Sequence, residues 1–435
     1  MIAANDNEKY CVVGAGSSGL AVAKNFQASG IGFEVIEPND DVGGVWYSGS
    51  PTSSVYRSAH LISSKPLTEY SDFPMPESYP HYPSRQQAWE YLRSYADHFN
   101  LYEHIRFGRA VQCAVPTDDG RSWNIRFDDG SARRFRGLVI SHGHNWDPNW
   151  PRIPGEFAGV SLHSAQYKTP DVLRDRRVLV IGAGNSGCDI AVESAQNAAM
   201  TYHSTRRGYH YLPKFLFGLP IDQCGELMLR LRLPLWMRRM ISRLAVRVAL
   251  GPPRRAGLPA PDHRLFETHP ILNSQLYYHL GHGAIVPKPD VQEFCGDEVV
   301  FQDGSREKVD VVVFATGFKN SFPFIDQRYL NWKDGRPELF MNIFHPEKDN
   351  LFVVGMIQPD SGQWGLVDCQ SQLVARIIQL QDSGDPAAVQ FRQRLKKAPP
   401  DLSAGIRYVN SPRHMLEVEH FSYRRQLQKM IAKLS

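Results

Sequence analysis

Tyr10-Cys11-Val12-Val13-Gly14-Ala15-Gly16-Ser17-Ser18-Gly19 opens the decisive stretch, which runs on through Leu20-Ala21-Val22-Ala23 and Phe33-Glu34-Val35-Ile36 to Glu37. A short apolar strand, a GxGxxG turn, a helical run and a second strand ending in an acid make a βαβ unit. Gly14 permits the tight turn, Gly16 lets a pyrophosphate approach the backbone, and Gly19 lets helix and strand pack closely. Ser18 stands in the same turn, at the start of a helix whose N-terminus attracts phosphate. Glu37 lies 18 residues after Gly19 and is placed to bind a ribose diol.

A second unit of the same kind begins at Arg177-Val178-Leu179-Val180-Ile181 and turns at Gly182-Ala183-Gly184-Asn185-Ser186-Gly187. Its next strand, Thr201-Tyr202-His203-Ser204-Thr205, ends in Arg206 and Arg207 instead of an acid. A cation there suits a 2′-phosphate, so NADP fits better than NAD. Glu37 repels such a phosphate, which makes the first site an FAD site. One GxGxxG alone can be a glycine-rich turn; two, each with a fitting strand end, are much harder to explain that way.

Length and composition agree with this reading. The chain has 435 residues, which as a soft prior suggests about three domains; the two motifs reduce this to two. Hydrophobic residues at 42 % and charged residues at 22 % exclude disorder, a coiled coil and a collagen repeat. No apolar run is long enough to span a membrane, and Met1 to Tyr10 lacks the pattern of a secretory signal. Six cysteines without CxxC or metal-ligand spacing point to buried thiols in a reducing cytoplasm, with no metal. The missing CxxC also argues against a disulfide reductase, which shares the paired-nucleotide layout.

The net charge of +4 is too mild to imply nucleic acid, but it is uneven. Residues 227–261 hold eight Arg and no acid, and without them the chain would stand at −4. Pro234 can start a helix there, with Arg238, Arg239, Arg243 and Arg247 along one stripe. Met237, Met240, Ile241, Leu244, Ala245 and Val248 would fill the other side. The plain expectation is a solvated face over a buried stripe. A cover for the substrate entrance, a subunit contact and an anionic membrane surface are the alternatives.

Segments 122–127 and 133–140 read as strands, 141–145 as a loop and 146–154 as a Pro-rich linker. Residues 296–305 read as a hairpin, 309–314, 340–344 and 350–354 as strands, and 367–381 as a helix. These late elements are expected to complete the first domain. The fold class is therefore α/β, with two Rossmann-like dinucleotide-binding domains, the NADPH domain inserted into the FAD domain. The expected boundaries are 1–170 and 300–435 for FAD, and 171–299 for NADPH.

Phe157-Ala158-Gly159-Val160-Ser161-Leu162-His163-Ser164-Ala165-Gln166-Tyr167-Lys168 matches the FxGxxxHSxxY(R/K) fingerprint of the flavin-containing monooxygenases, just before the second glycine turn. The chain resembles that family elsewhere too. Gly43-Gly44-Val45-Trp46, Ser63-Ser64-Lys65, Ser71-Asp72-Phe73-Pro74, Ala315-Thr316-Gly317-Phe318, the segment at Gly355 to Pro359 and Val367-Asp368-Cys369-Gln370 follow its order. The resemblance covers roughly 9–380. Baeyer–Villiger relatives usually carry Trp where Tyr167 stands, so Tyr167 favours the heteroatom branch.

The resemblance implies FAD contacts at Gly14, Gly16, Ser18, Gly19, Glu37, Gly44, Trp46, Val111 and Gln370. It implies NADPH contacts at Gly182, Gly184, Asn185, Ser186, Gly187, Ser204, Thr205, Arg206, Arg207 and Thr316. It also implies an NADPH-dependent insertion of one O2 oxygen into a small N- or S-containing nucleophile, through a C4a-hydroperoxyflavin. Baeyer–Villiger oxidation of a ketone is the alternative. The partners implied are O2 and a small molecule, without nucleic acid or membrane; a homodimer is left open. No catalytic dyad or triad is needed.

One departure stands out. Where the family carries Asn beside the reactive flavin carbon, this chain has Ile62, which cannot donate a hydrogen bond. Either His60 or Ser63 substitutes, or the oxygenated flavin is short-lived and the chain acts as an NADPH oxidase or flavin redox sensor. His142, His144, Tyr56 and Trp364 are further residues that can face substrate, with packing the plainer role for each. Cys188, at a helix start, is read as packing.

Overall fold

The computed structural model describes residues 8–434. Met1 to Asn7, part of the stretch read for a secretory signal, lie outside the described residues. Two five-stranded parallel sheets organise the chain. The first runs Leu351–Val353, Gly137–Ile140, Tyr10–Val13, Phe33–Ile36, Ile105–Arg106. The second runs Val160–His163, Val311–Phe314, Arg177–Ile181, Met200–Ser204, Val286–Lys288. In each, the strand before the glycine turn is central, as expected for strands covered on both faces.

The two halves repeat in detail. Helix Ser17–Ala28 follows the first glycine turn and helix Asn185–Asn197 the second. Each half leaves its sheet for a three-stranded antiparallel meander before returning to the fourth strand. The meanders are Val111–Pro116, Trp123–Phe127, Ala132–Phe135, and Val291–Gly296, Glu298–Phe301, Arg306–Lys308. The second half lies in sequence between Gly137–Ile140 and Leu351–Val353 of the first sheet, so one domain is inserted into the other.

Several sequence expectations need correction. Val311–Phe314 does not complete the first sheet. It pairs parallel to the second glycine strand, Val178 opposite Val311, and carries Val160–His163 on its outer side. Both strands therefore belong to the half that 171–299 was meant to enclose. A buried VVVF strand has no polar face to show which sheet receives it. Segment 133–140 splits at Arg136 into two strands of different sheets. Segment 340–344 is a turn, with Met341 and Asn342 at φ of 59° and 56°.

The Arg-rich helix, Leu235–Leu250, starts at Pro234 as expected, but its faces are not as expected. Arg238 is its one buried residue, beneath the Phe266 ring, and Arg239 reaches inward to the Leu265 carbonyl and Glu267. Met240, Ile241, Leu244 and Val248 are exposed. The helix is anchored by arginine and presents carbon to solvent. The inward bonds to Glu267 and Leu265 settle this, and both partners lie beyond the segment.

The helix Trp364–Asp382 returns from the far end of the chain to pack on Ser17–Ala28. At their contact a buried Lys24 ammonium bonds Asp368 at 2.8 Å and Asp72 at 2.6 Å. The Asn25 and Gln372 side-chain amides also donate to Asp368. Trp364 belongs to the core of this half, stacked on Tyr91 at 5.5 Å. Cys11, Cys188 and Cys369 are buried and unpaired, as the thiol reading expects, whereas Cys295 is exposed.

Candidate active site

The first glycine turn is a cradle built of backbone. Gly14 holds φ of 99°, and a Cβ on Gly19 would fall 1.8 Å from the Gly14 carbonyl oxygen. The loop Gly43-Gly44 folds over it: the Gly43 amide donates to the Ala15 carbonyl, and a Cβ on Gly44 would stand 3.1 Å from the Gly16 Cα. Helix Ser17–Ala28 has no side-chain cap, which leaves its first amides free for an anion. Glu37 is buried and accepts from the Ala15 amide at 2.6 Å and from Asn39. Burial pushes its carboxyl pKa up, against those hydrogen bonds. The Arg109 amide donates to the Glu37 carbonyl, which brings Val111 to the same end of the sheet.

Trp46 closes the other side, edge-on to Trp364 at 6.3 Å. Gln370 is fully buried. It accepts from the Gly355 amide at 2.9 Å and donates to the Tyr423 hydroxyl at 2.7 Å. Gly355 has room for no side chain, because a Cβ would lie 2.0 Å from Ser18 Oγ. Gln370 thus fixes the Gly355 strand end against the start of the glycine helix.

The second turn repeats the first. Gly182 has φ of 118°, and a Cβ on Gly187 would fall 1.9 Å from its carbonyl oxygen. Helix Asn185–Asn197 is uncapped as well. The Asn185 side chain grips another segment, accepting from the Leu272 amide and donating to the Pro270 carbonyl. The Ser204 hydroxyl donates to the Pro289 carbonyl, and the Thr205 amide to Lys288. Thr316 donates to the Asn149 carbonyl of the linker. Arg206 is exposed, while Arg207 is held by Asp262 at 2.6 Å, which lowers that carboxyl to about 2.

Three contributors escaped the sequence reading. Arg413, from the C-terminal segment, lies 3.4 Å from where a Cβ of Gly184 would stand, and its guanidinium is 6.0 Å from the Tyr209 ring. Arg207 reaches the same ring at 6.0 Å. His203 bonds the Gly182 carbonyl through Nε2 at 2.9 Å, and burial keeps the ring neutral. Asp222 accepts from the Ser64 amide at 2.6 Å. No motif marks any of these, and Arg413 and Asp222 sit far in sequence from the loops they touch.

The two halves meet where the fingerprint ends. The Tyr167 hydroxyl donates to Glu193 at 2.6 Å, and its ring packs 5.7 Å from Tyr56. Tyr56 donates to Asp189 at 3.0 Å, and Ser58 to Glu193 at 2.9 Å. Segment 53–58 of the first half is thereby pinned to helix Asn185–Asn197 of the second. His163 is buried against Trp150 and Phe318 and accepts from the Ala165 amide at Nδ1. Burial lowers the His142 and His144 rings to about 4. Cys188 is buried and its thiol pushed up, so it packs.

The loop at Ile62 spends its polar groups on itself and its neighbours. Ile62 is half-buried, and the Ser63 hydroxyl pairs with Thr68 Oγ1 at 2.7 Å, which in turn donates to the Ser64 carbonyl. His60 is exposed, its Nδ1 bonded to the Ser58 carbonyl. Neither sequence-proposed substitute presents a free donor from inside the loop.

Two linked Rossmann-like folds, each with a glycine turn leading into an uncapped helix, are the layout of a two-dinucleotide oxidoreductase. A family model described as Flavin-binding monooxygenase-like matches residues 7–433. The chain belongs to that family and is a flavin-dependent NADPH monooxygenase with FAD and NADPH as cofactors. It is 32 % identical over 408 residues to human Flavin-containing monooxygenase 1, covering 89 % of this chain and 76 % of the relative. Among solved structures it is similar to S-allyl-L-cysteine S-oxygenase from Allium sativum, at TM-score 0.67, 19 % identity, and 98 % and 88 % coverage. It is also similar to NADP+-bound cyclohexanone monooxygenase from Rhodococcus sp. Phi1, at TM-score 0.73, 18 % identity, and 99 % and 98 % coverage. Among the described residues no helix is long and apolar enough to cross a membrane.

Proposed function

We propose that this chain adds one oxygen atom of O2 to the nitrogen or sulfur of a small soft nucleophile, in the cytoplasm. The net reaction consumes substrate, NADPH, O2 and a proton, and yields the oxide, NADP+ and water. The observation that favours a heteroatom over a ketone is Tyr167, which stands where Baeyer–Villiger relatives usually carry Trp; here its hydroxyl is bonded to Glu193 and its ring packs on Tyr56, at the joint between the halves.

The residues fit both cofactors. Gly14, Gly16, Gly19 and Gly44 leave a backbone cradle that a Cβ would fill, and Glu37, held by the Ala15 amide at the end of the second strand, would take the ribose diol. Gly182, Gly184, Ser186 and Gly187 form the second cradle, with Arg206, Arg207 and Arg413 as the cationic clamp for the 2′-phosphate. The working boundaries of the halves are about 8–150 with 318–434, and about 151–317. When bound, the pair supplies the hydride and the oxygen-activating centre. The chain orients the two rings, excludes water and keeps neutral the histidines that border the site.

A second reading, an NADPH oxidase, is favoured by the loop at Ile62, where the Ser63 proton is already spent on Thr68. Product analysis separates the two. The purified FAD-loaded chain is given NADPH and O2 with a tertiary amine, a sulfide and a ketone in turn. Amine or sulfide oxide formed in step with NADPH use supports the proposal. Stoichiometric H2O2 with no oxygenated product rejects it for the oxidase, and an ester from the ketone alone rejects it for Baeyer–Villiger chemistry.

A further inference from the structure

A buried carboxylate needs a partner, because its charge is costly away from water. Glu417 lacks one among the described residues. Its side chain is fully buried, and neither Oε1 nor Oε2 accepts a hydrogen bond. The one group at ion-pair distance is the His269 ring, whose Nδ1 stands 3.2 Å from Oε1 without bonding it. The cations of this region are turned elsewhere. Arg336 donates to the Met415 carbonyl, Arg424 to Glu226, Arg413 lies at Gly184, and Arg238 acts on Asp360.

Both halves set the place of Glu417. In the strand Glu417–Val418 it stands opposite Gln358, paired in parallel with the strand Gln358–Pro359. That strand follows Gly355, which the Gln370 and Gln363 side chains hold against the start of the first glycine helix. At Oε1, His269 precedes Pro270, whose carbonyl accepts from the Asn185 side chain of the second glycine turn. Four residues before Glu417, Arg413 reaches Gly184. A carboxylate with both oxygens free therefore lies at the joint between the two glycine turns.

Other polar atoms there are unspent as well. His144 Nδ1 and His414 Nε2 have no hydrogen-bond partner among the described residues, and both rings are within electrostatic reach of His269. The Tyr408 hydroxyl, also without a partner, is within reach of Asp360, Glu417 and Glu419. Asp360 accepts from the His420 amide, and Glu419 from the Phe421 and Ser422 amides. They leave Glu417 as the free acceptor and add negative charge beside it. A neutral hydroxyl or amide would fill its lone pairs and leave its charge; an ammonium group satisfies both.

We propose that Glu417 takes a protonated amino group carried by the substrate, apart from the nitrogen or sulfur that is oxygenated. This rests on the monooxygenase reading above and narrows it to a cationic soft nucleophile, an amino-bearing sulfide or a diamine. An oxygenated nitrogen must keep its lone pair, so in a diamine the anchoring and the reacting nitrogen are different atoms. The ammonium anchors one end of the molecule while the soft atom at the other end is presented to the flavin.

The test is titration calorimetry on the oxidised chain loaded with FAD and NADP+, which reads binding without turnover. The probes are methyl alkyl sulfides of increasing chain length that end in an ammonium, each matched to the equal-length sulfide that ends in a methyl group. At the best length the parent should bind the ammonium sulfide at least about tenfold more tightly, with a lower KM for its NADPH-dependent sulfoxidation. Glu417→Gln keeps the shape and removes the charge, so it should bring the two affinities together while FAD content and NADP+ affinity stay at the parent level. Glu417→Asp should keep the preference and move its optimum to a longer ligand. Equal affinity at every length in the parent overturns the proposal, as does a preference that survives Glu417→Gln. Loss of NADP+ affinity in Glu417→Gln, with no ammonium preference in the parent, overturns it and assigns the carboxylate to the cofactor. If no sulfide is oxygenated but the parent prefers the ammonium and Glu417→Gln removes that preference, the reaction reading fails and the cation site stands.

Discussion

The Arg413 guanidinium lies 3.4 Å from where a Cβ of Gly184 would stand, directly over the start of helix Asn185–Asn197. A cation is unfavourable at the positive end of a helix dipole unless an anion lies between them. The uncapped helix has no acid in its first turn, so the arrangement suits an anionic ligand.

Arg413→Ala should weaken NADP+ binding by about tenfold, or about 1.4 kcal/mol, without changing flavin content. Arg206→Ala should weaken NADPH far more than NADH, since only NADPH carries the 2′-phosphate. Arg207→Ala should cost less than Arg206→Ala, because Asp262 already holds it. Titration calorimetry on the oxidised FAD-loaded chain measures all three. Equal losses for NADPH and NADH in Arg206→Ala would refute the 2′-phosphate assignment.

Gly44→Ala should lower FAD retention. The residue sits at φ of 56°, and its new Cβ would press on the Gly16 Cα at 3.1 Å, where the pyrophosphate cradle has no slack. The strain is about 1–3 kcal/mol. Flavin absorbance per mole of purified chain reports it; an unchanged ratio would show that the two loops can separate at no cost.

Asp368→Ala should destabilise the first half by about 3–5 kcal/mol, because it leaves the buried Lys24 ammonium with Asp72, which is part-exposed, as its one carboxylate and the Asn25 amide oxygen beside it. Lys24→Met combined with Asp368→Leu should recover much of that loss. Urea unfolding followed by flavin release distinguishes the pair from the single variant.

Acid should destabilise the fold in a defined window. Burial holds His142, His144, His345 and His420 down to about 4. Their folded pKa values are depressed below about 6.5, so the stability they contribute is present above that pH. It is lost as pH falls from there toward 4. Asp360 works the other way: burial and the Glu419 charge raise it to about 7, so it contributes stability at low pH that fades as pH rises through 7. Asp360→Asn removes this opposing gain and should steepen the acid fall in thermal midpoint between about pH 6.5 and 4. A parallel curve would place Asp360 outside the titrating network.

Ile62→Asn restores a donor to the loop beside the proposed reactive centre. The share of NADPH electrons lost as H2O2 should fall several-fold, in line with the few kcal/mol that such donors contribute. Peroxide yield per NADPH measures it, and an unchanged yield would mean that position 62 does not limit coupling.

The sequence made the two glycine turns legible because their glycines answer to local geometry. Gly14, Gly182 and Gly187 are required by turns that close within a few residues, and strand ends such as Glu37 and Arg206 follow at fixed spacing. Arg413, Asp222 and the sheet membership of Val311–Phe314 depend on contacts between distant segments, which no local pattern encodes. The Arg-rich helix misled for a related reason. Its period of polar and apolar residues is correct, but periodicity fixes the angle between two faces and not which of them turns inward. Glu267 and the Leu265 carbonyl, outside the helix, make that choice.

The interleaving of the two sheets also dictates an order of events during synthesis. The second half has all its strands once Phe314 is made, so it can close while the chain is still being extended. The first sheet waits for Leu351–Val353, and its helix Ser17–Ala28 waits for Trp364–Asp382. Lys24 therefore emerges long before the carboxylate of Asp368 that neutralises it. The flavin half is the last to be finished although it is the first to be translated, and that interval is when the nascent chain is most exposed to aggregation and to chaperones.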